Sequence, residues 1–132
     1  MMLLYNNATW MYYLGENWMP DRYLKASFST IEPSDCPCGL SRRAFMDAEG
    51  KPATVHLLEV KRDTEPHYHK KMTECYTILE GEGFLELDGE MVPVRPMDTV
   101  MICPGCVHRP VGQMKILNVA VPGFDPSDEY LV

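Results

Sequence analysis

No run of apolar residues in this chain approaches the ~18 that a membrane span requires. Basic residues are in deficit, 12 against 19 acidic, for a formal charge of −7. That balance argues against nucleic acid or an anionic membrane as the main partner, since both need basic surface. The first arginine is Arg22, so the apolar start Met1-Met2-Leu3-Leu4-Tyr5 lacks the basic flank of a signal peptide. A cytoplasmic location is expected. Internal repeats, low-complexity tracts and linkers are missing as well. The cysteines are few and odd in number: Cys36, Cys38, Cys75, Cys103 and Cys106. Without a secretion signal they read as reduced thiols. Cys36-Pro37-Cys38 and Cys103-Pro104-Gly105-Cys106 could in principle build a four-thiolate zinc site. The single residue between one pair, and the turn that the other pair occupies, speak against it. A thioredoxin-like reading needs a helix after Cys106, and Pro110 and Gly112 oppose one.

What is present is one globular domain's worth of material: 132 residues, 45% hydrophobic. Residues 1–22 are rich in large rings (Tyr5, Trp10, Tyr12, Tyr13, Trp18). They form an N-terminal arm expected to pack on the domain or on a second subunit, with a short helix as a candidate element. Residues 23–132 form the main domain. There the pattern is of short strands between turns: 23–30, 41–47, 54–60, the segment of His67 and His69, 74–80, 84–87, 91–94, 99–103, 107–111 and 115–121. Loops or turns are expected at 32–39 and at Gly81-Glu82-Gly83, and Asp88-Gly89 is a hairpin signal. Strands this short and this frequent indicate an all-β sandwich or barrel.

The chemistry gathers at Glu65-Pro66-His67-Tyr68-His69. On an extended strand His67 and His69 share a face, about 6.6 Å apart. Imidazoles at that distance can lean onto one ion. Glu74 opens the next strand and can offer a carboxylate. Pro104-Gly105-Cys106-Val107-His108 brings a third histidine after a tight turn. If Glu74 points inward, Tyr76 and Ile78 do so too, which makes Tyr76 a candidate catalytic donor. Met114, Ile116, Asn118 and Ala120 share one face of the last strand, with Asn118 a candidate for the pocket. His56 is expected in the packing or the pocket wall. Arg42, Arg43, Lys61 and Arg62 are candidate contacts for an anionic substrate, or solvated strand-edge charges.

His67-x-His69-x4-Glu74-x6-Gly81 resembles the first motif of the cupins, and Pro104-Gly105-x-x-His108 resembles the second. Lys61, Met97, Cys103 and Gly112 stand where the family usually carries other turn-shaping residues. The chain is similar to small single-domain, RmlC-like cupins over roughly residues 50–127. The resemblance implies an all-β double-stranded β-helix, a jelly-roll barrel, with one divalent transition metal held inside by His67, His69, Glu74 and His108. Three imidazoles and one carboxylate suit iron, manganese, nickel, copper or zinc. A homodimer is the expected assembly and a small molecule the expected partner. The leading expectation is a metal-dependent enzyme with oxidative, dioxygenase-like chemistry. Isomerase or lyase chemistry comes next, and a non-catalytic cupin that binds a sugar or carboxylate remains the alternative.

Overall fold

Two long antiparallel strands carry the barrel. β8 (Thr73–Leu87) and β11 (His108–Val121) pair from His108 opposite Leu87 to Val121 opposite Thr73. The computed structural model describes residues 22–132 throughout and, ahead of them, only three short strands. These are β1 (Met2–Tyr5), β2 (Thr9–Leu14) and β3 (Asn17–Pro20), paired antiparallel in that order. They stand where a short helix was a candidate. How the arm's aromatic rings dock lies outside the described residues.

The main sheet adds β4 (Ser34–Cys36), β5 (Gly39–Ala44), β6 (Thr54–Val60), β7 (His67–Tyr68), β9 (Glu90–Val94), β10 (Thr99–Ile102) and β12 (Tyr130–Leu131). Its order is β10-β8-β11-β6-β5-β4, with β9 on β8, β7 on β11 and β12 on β7. This is the jelly-roll barrel expected from the sequence. The one helical element among the described residues is a 3-10 turn, Pro126–Asp128. No helix among them is long and apolar enough to cross a membrane.

Several boundaries differ from expectation, each for a local reason. Gly81-Glu82-Gly83 does not reverse the chain. β8 runs straight through it, because Gly81 (φ +82°) serves a bulge: Lys115 faces Glu80, Ile116 faces Ile78, and Leu79 is left over. The two final strands are likewise one, with Gly112 at φ +109°. Residues 23–30 are not a strand. Ser29 bonds Ser27, and Thr30 turns back to the Ser27 carbonyl, so local side-chain bonds compete with pairing. Within the expected loop 32–39, Ser34–Cys36 pairs with β5 around a two-residue turn at Pro37-Cys38. Asp88-Gly89 does make the hairpin, with φ of 48° and 84°, the positive pair that a type I′ turn requires.

Register then sorts the interior. Ser41, Leu58, Ile116 and Ile78 lie side by side across β5, β6, β11 and β8. Val60 and Met114 follow toward one end, and with Leu85, Val94 and Ile102 they form the apolar core. Toward the other end the rows turn polar. Arg43, His56, Asn118 and Tyr76 make one row, and Thr54, Ala120 and Glu74 the next.

Gly81 tests this geometry. A Cβ there would lie 2.4 Å from the Gln113 carbonyl, on a backbone already in the left-handed region. Gly81→Ala is therefore expected to destabilise the barrel by about 2–4 kcal/mol in urea denaturation. A loss below ~1 kcal/mol would show that the bulge is not fixed by that contact.

Candidate metal centre

His67 sits on β7, directly paired with His108 at the start of β11. His69 lies just beyond β7, and Glu74 is the second residue of β8. Each of the four side chains offers one donor atom, and these atoms all lie within 4.8 Å of one another. Donors that share one ion at ~2 Å stand up to ~4 Å apart, so a small side-chain adjustment closes the set. Among the described residues this is the one such group, and it contains no cysteine. The four-thiolate alternative therefore does not assemble there.

The hydrogen bonds decide which imidazole nitrogens face inward. His69 Nδ1 lies 2.7 Å from the Asp128 carbonyl, and His108 Nδ1 lies 2.9 Å from the Cys106 carbonyl. A carbonyl only accepts, so both Nδ1 atoms carry protons. In the neutral rings this leaves both Nε2 atoms as bare lone pairs. They face Glu74, His108 Nε2 at 3.0 Å from Oε2 and His69 Nε2 at 3.6 Å from Oε1. His69 Nε2 is buried with no hydrogen-bond partner. Lone pairs aimed at a carboxylate repel it unless positive charge lies between them. Glu74 is only 4% exposed, and a carboxylate buried that deeply costs several kcal/mol unless donors or positive charge face it. The donor set and the orphaned nitrogen both fit a divalent transition metal.

In place of a metal, Nε2–H donors on these rings would meet the same need. Burial by itself would raise the Glu74 carboxyl, but the His108 and His69 imidazoles outweigh it and hold the group well below the usual carboxylate range. Burial works to lower His69, yet contact with Glu74 raises it overall. His67 is pushed down by burial, then by His108, which keeps it neutral and able to ligate. Asn118 Nδ2 donates to Glu74 Oε1 at 3.1 Å and orients the carboxylate.

A cavity of about 320 Å³ opens beside the cluster. Tyr76, Asn118 and His56 all line it, as does Arg43. Burial first, then the Glu74 carboxylate, drives the Tyr76 phenol well above its ordinary value. Cys36 and Cys38 stand at the same cavity with their sulfurs 2.9 Å apart. The hydrogen bond from Cys38 brings Cys36 down to about 6 against the opposing effect of burial, and the same bond raises Cys38.

Known proteins share this fold. The family described as "Cupin domain" matches residues 54–119, half of the chain and all four clustered side chains. This chain is a cupin. A crystal structure of a protein from Planctomyces limnophilus is similar at 34% identity with a TM-score of 0.75, covering 86% of this chain and 97% of that one. An uncharacterized protein of Aquifex aeolicus (strain VF5) is 32% identical over 79 residues, 58% of this cupin and 65% of that protein. The chain thus spans less than two thirds of the length of the curated relatives it matches. The Streptomyces barrel Pac13, described as a nucleoside dehydratase, shares the fold at 21% identity and a TM-score of 0.74, covering 83% of this chain and 91% of that one.

One residue of this site escaped sequence reading. Asp128 lies in the 3-10 turn after Asp125, whose carboxylate caps it by accepting from Ser127 N. Besides its carbonyl on His69, Asp128 accepts the backbone N–H groups of Lys70, Lys71 and Met72 at 3.0–3.3 Å. It clamps the loop between the two histidines and Glu74. The Asp-Pro-Ser-Asp pattern, a capped turn opening on proline, was the available signal. β12 follows and ties Tyr130 to Tyr68, with the two rings stacked at 5.3 Å.

Asp128→Ala strips acceptors from three backbone donors. It is expected to cost about 2–4 kcal/mol and to weaken metal retention through gel filtration. An unchanged urea midpoint would contradict the clamp. His56 supplies a test by pH. Burial, then Arg43, lowers it to about 4 from 6.5, so the unfolded chain binds the extra proton first. Its contribution is complete above pH 6.5 and is lost as pH falls toward 4. Chelator-treated wild type should lose on the order of 2 kcal/mol more than His56→Gln across that window. Parallel stability curves for the two proteins would refute the assignment.

Proposed function

We propose that this cupin is a metal-dependent enzyme acting on a small organic molecule, with oxidative chemistry at a divalent transition metal held by His67, His69, Glu74 and His108. The observation that carries this reading is the convergence of three imidazoles and one buried carboxylate within 4.8 Å, with His69 Nε2 left without a hydrogen-bond partner. A bound metal would supply Lewis acidity and, for iron, manganese or copper, an accessible one-electron couple.

The chain's own residues do the rest. Glu74 stays ionised, and Asn118 holds it in orientation. Tyr76 keeps its proton and can donate it to a substrate oxygen in the cavity. Leu58, Phe124, Pro110 and Leu131 wall the space and limit water. The same protonated phenol favours isomerase or lyase chemistry as the second reading, since both need a proton held near a carbonyl. Two further parts of the proposal rest on the surface. Leu79 and Met101, exposed on β8 and β10, suit a homodimer contact. The five free thiols suit a reducing compartment such as the cytoplasm.

Protein purified without chelators should carry close to one metal per chain by elemental analysis. His69→Ala should lose most of it while keeping the strand signature in circular dichroism. Unchanged stoichiometry in that variant would remove His69 from the ligand set. Oxygen uptake is then measured against catechols, thiols and diketones. Metal-replete protein that consumes oxygen with none of them shifts the reading to isomerase or lyase chemistry.

A further inference from the structure

Four cationic side chains compete for the role of anion contact, and the fold separates them. Arg42 turns away from the interior, and its Nη1 donates to the carbonyls of Phe28 and Ile31. Arg62 donates to the carbonyls of Pro37 and Cys36, at 2.8 and 3.3 Å, and braces the β4–β5 turn. Lys61 is exposed. Only Arg43 lines the cavity beside the metal cluster.

Its surroundings are unusual for a half-buried guanidinium. No carboxylate pairs with it among the described residues. Nε donates to Ser41 Oγ at 3.3 Å, and the guanidinium carbon lies 5.0 Å over the Phe124 ring. The two terminal nitrogens have no partner among the described residues, so the bidentate edge of the fork is free. The cation–π contact with Phe124 helps hold it at the cavity wall.

The row that holds Arg43 runs on through His56 and Asn118 to Tyr76, in register across four strands. Asn118 Oδ1 is buried without a hydrogen-bond partner. It is an acceptor waiting for a donor, such as a hydroxyl group. Arg43 lies two strands from Asn118, a backbone separation of ~10 Å that the arginine side chain shortens by reaching inward. Leu58 and Phe124 supply apolar wall between these ends. The remaining charges on the lining, Glu65, Glu74 and Glu129, are negative. With a divalent metal on Glu74 the lining comes close to neutral, a balance that opposes a dianion such as a phosphate ester more than a monoanion.

We propose that Arg43 binds the carboxylate of a small organic acid, and that hydroxy- or oxo-substituted monocarboxylic acids are the substrate class of this cavity. The proposal rests on the metal-enzyme reading above for the word substrate. The anion site itself stands independently of the metal.

The test is direct binding by calorimetry, with zinc-loaded and chelator-treated protein in parallel. Probes are salicylate, benzoate and 3-hydroxybutyrate, each against its primary amide, together with phenyl phosphate. The acids should bind at least tenfold tighter than their amides, and benzoate tighter than phenyl phosphate. Arg43→Gln should abolish the acid preference and Arg43→Lys should keep part of it. Both variants should retain the wild-type metal content and circular dichroism. Equal binding of acids and amides, or failure of every acid to bind at 10 mM, would overturn the proposal. So would an acid preference that survives Arg43→Gln, or tighter binding of phenyl phosphate. Failure of zinc to load, with the acid preference intact in chelator-treated protein, would instead strike the metal reading and leave the anion site standing.

Discussion

A carboxylate shut away from water between two imidazoles needs positive charge beside it, and much of this barrel is arranged around that need. Glu74 is buried and ionised, and the Nε2 atoms of His69 and His108 face it while each Nδ1 faces a backbone carbonyl. Those two carbonyls come from distant parts of the chain, Cys106 before β11 and Asp128 in the C-terminal turn. Neither is free to move. Gly105 N donates to the His69 carbonyl at 2.7 Å, and Val107 N to Asp88 Oδ1 at 2.9 Å. The Asp128 carboxylate grips three consecutive amides. Ring orientation is thus set by backbone that is itself tied down, which is how a centre of this type keeps its donors aimed.

The same barrel divides into two chemically different ends. From Val60 and Met114 through the row of Leu58, Ile116 and Ile78 the interior is apolar and closed. Two residues further along each strand, the inward positions become His56, Asn118 and Tyr76, then Thr54 and Glu74. Strand alternation makes this division inevitable once the register is set, because every inward position on one row meets inward positions on its neighbours. The buried polar groups survive there because most are bonded. Thr54 Oγ1 lies 3.0 Å from His56 Nε2 and accepts from Phe124 N, and Asn118 donates to Glu74. Among the described residues the two atoms left over are His69 Nε2, which faces Glu74, and Asn118 Oδ1 in the polar row. In a buried network such exceptions mark where something else binds.

Much of this was legible in the sequence, and the limits are physical. The alternation in 54–60, 74–78 and 114–120 matched the inward faces because an extended strand puts every second residue on one face. His67, His69, Glu74 and His108 were legible because spacing on adjacent strands determines which side chains meet. Strand ends were read less well. Gly81 and Gly112 look like reversals when only glycine content is visible. In the fold they permit close backbone approach inside a continuous strand. Asp128 was missed because its partners are 56–58 residues away in the chain, and no local pattern announces which amides a capped turn will meet. Arg43 could not be told from Arg42 for a related reason. Adjacent residues on a strand face opposite ways, and only the register reveals which one is inside.

That last point bears on how such a chain divides its labour. The segment that matches the family, 54–119, contains the clustered donors. Arg43 and Ser41 precede it, and so do Cys36 and Cys38 in the β4–β5 hairpin. Phe124, Glu129 and Leu131 follow it. The far wall and mouth of the cavity are therefore built from flanking chain. Arg62 holds the hairpin in place from one side, and β12 docks the tail against β7 from the other. The aim of the imidazoles depends on these flanking segments at one point. The tail also carries Asp128, so β12 and the carbonyl that orients His69 lie within three residues of each other. One short segment therefore both lines the cavity, through Glu129 and Leu131, and orients the His69 ring.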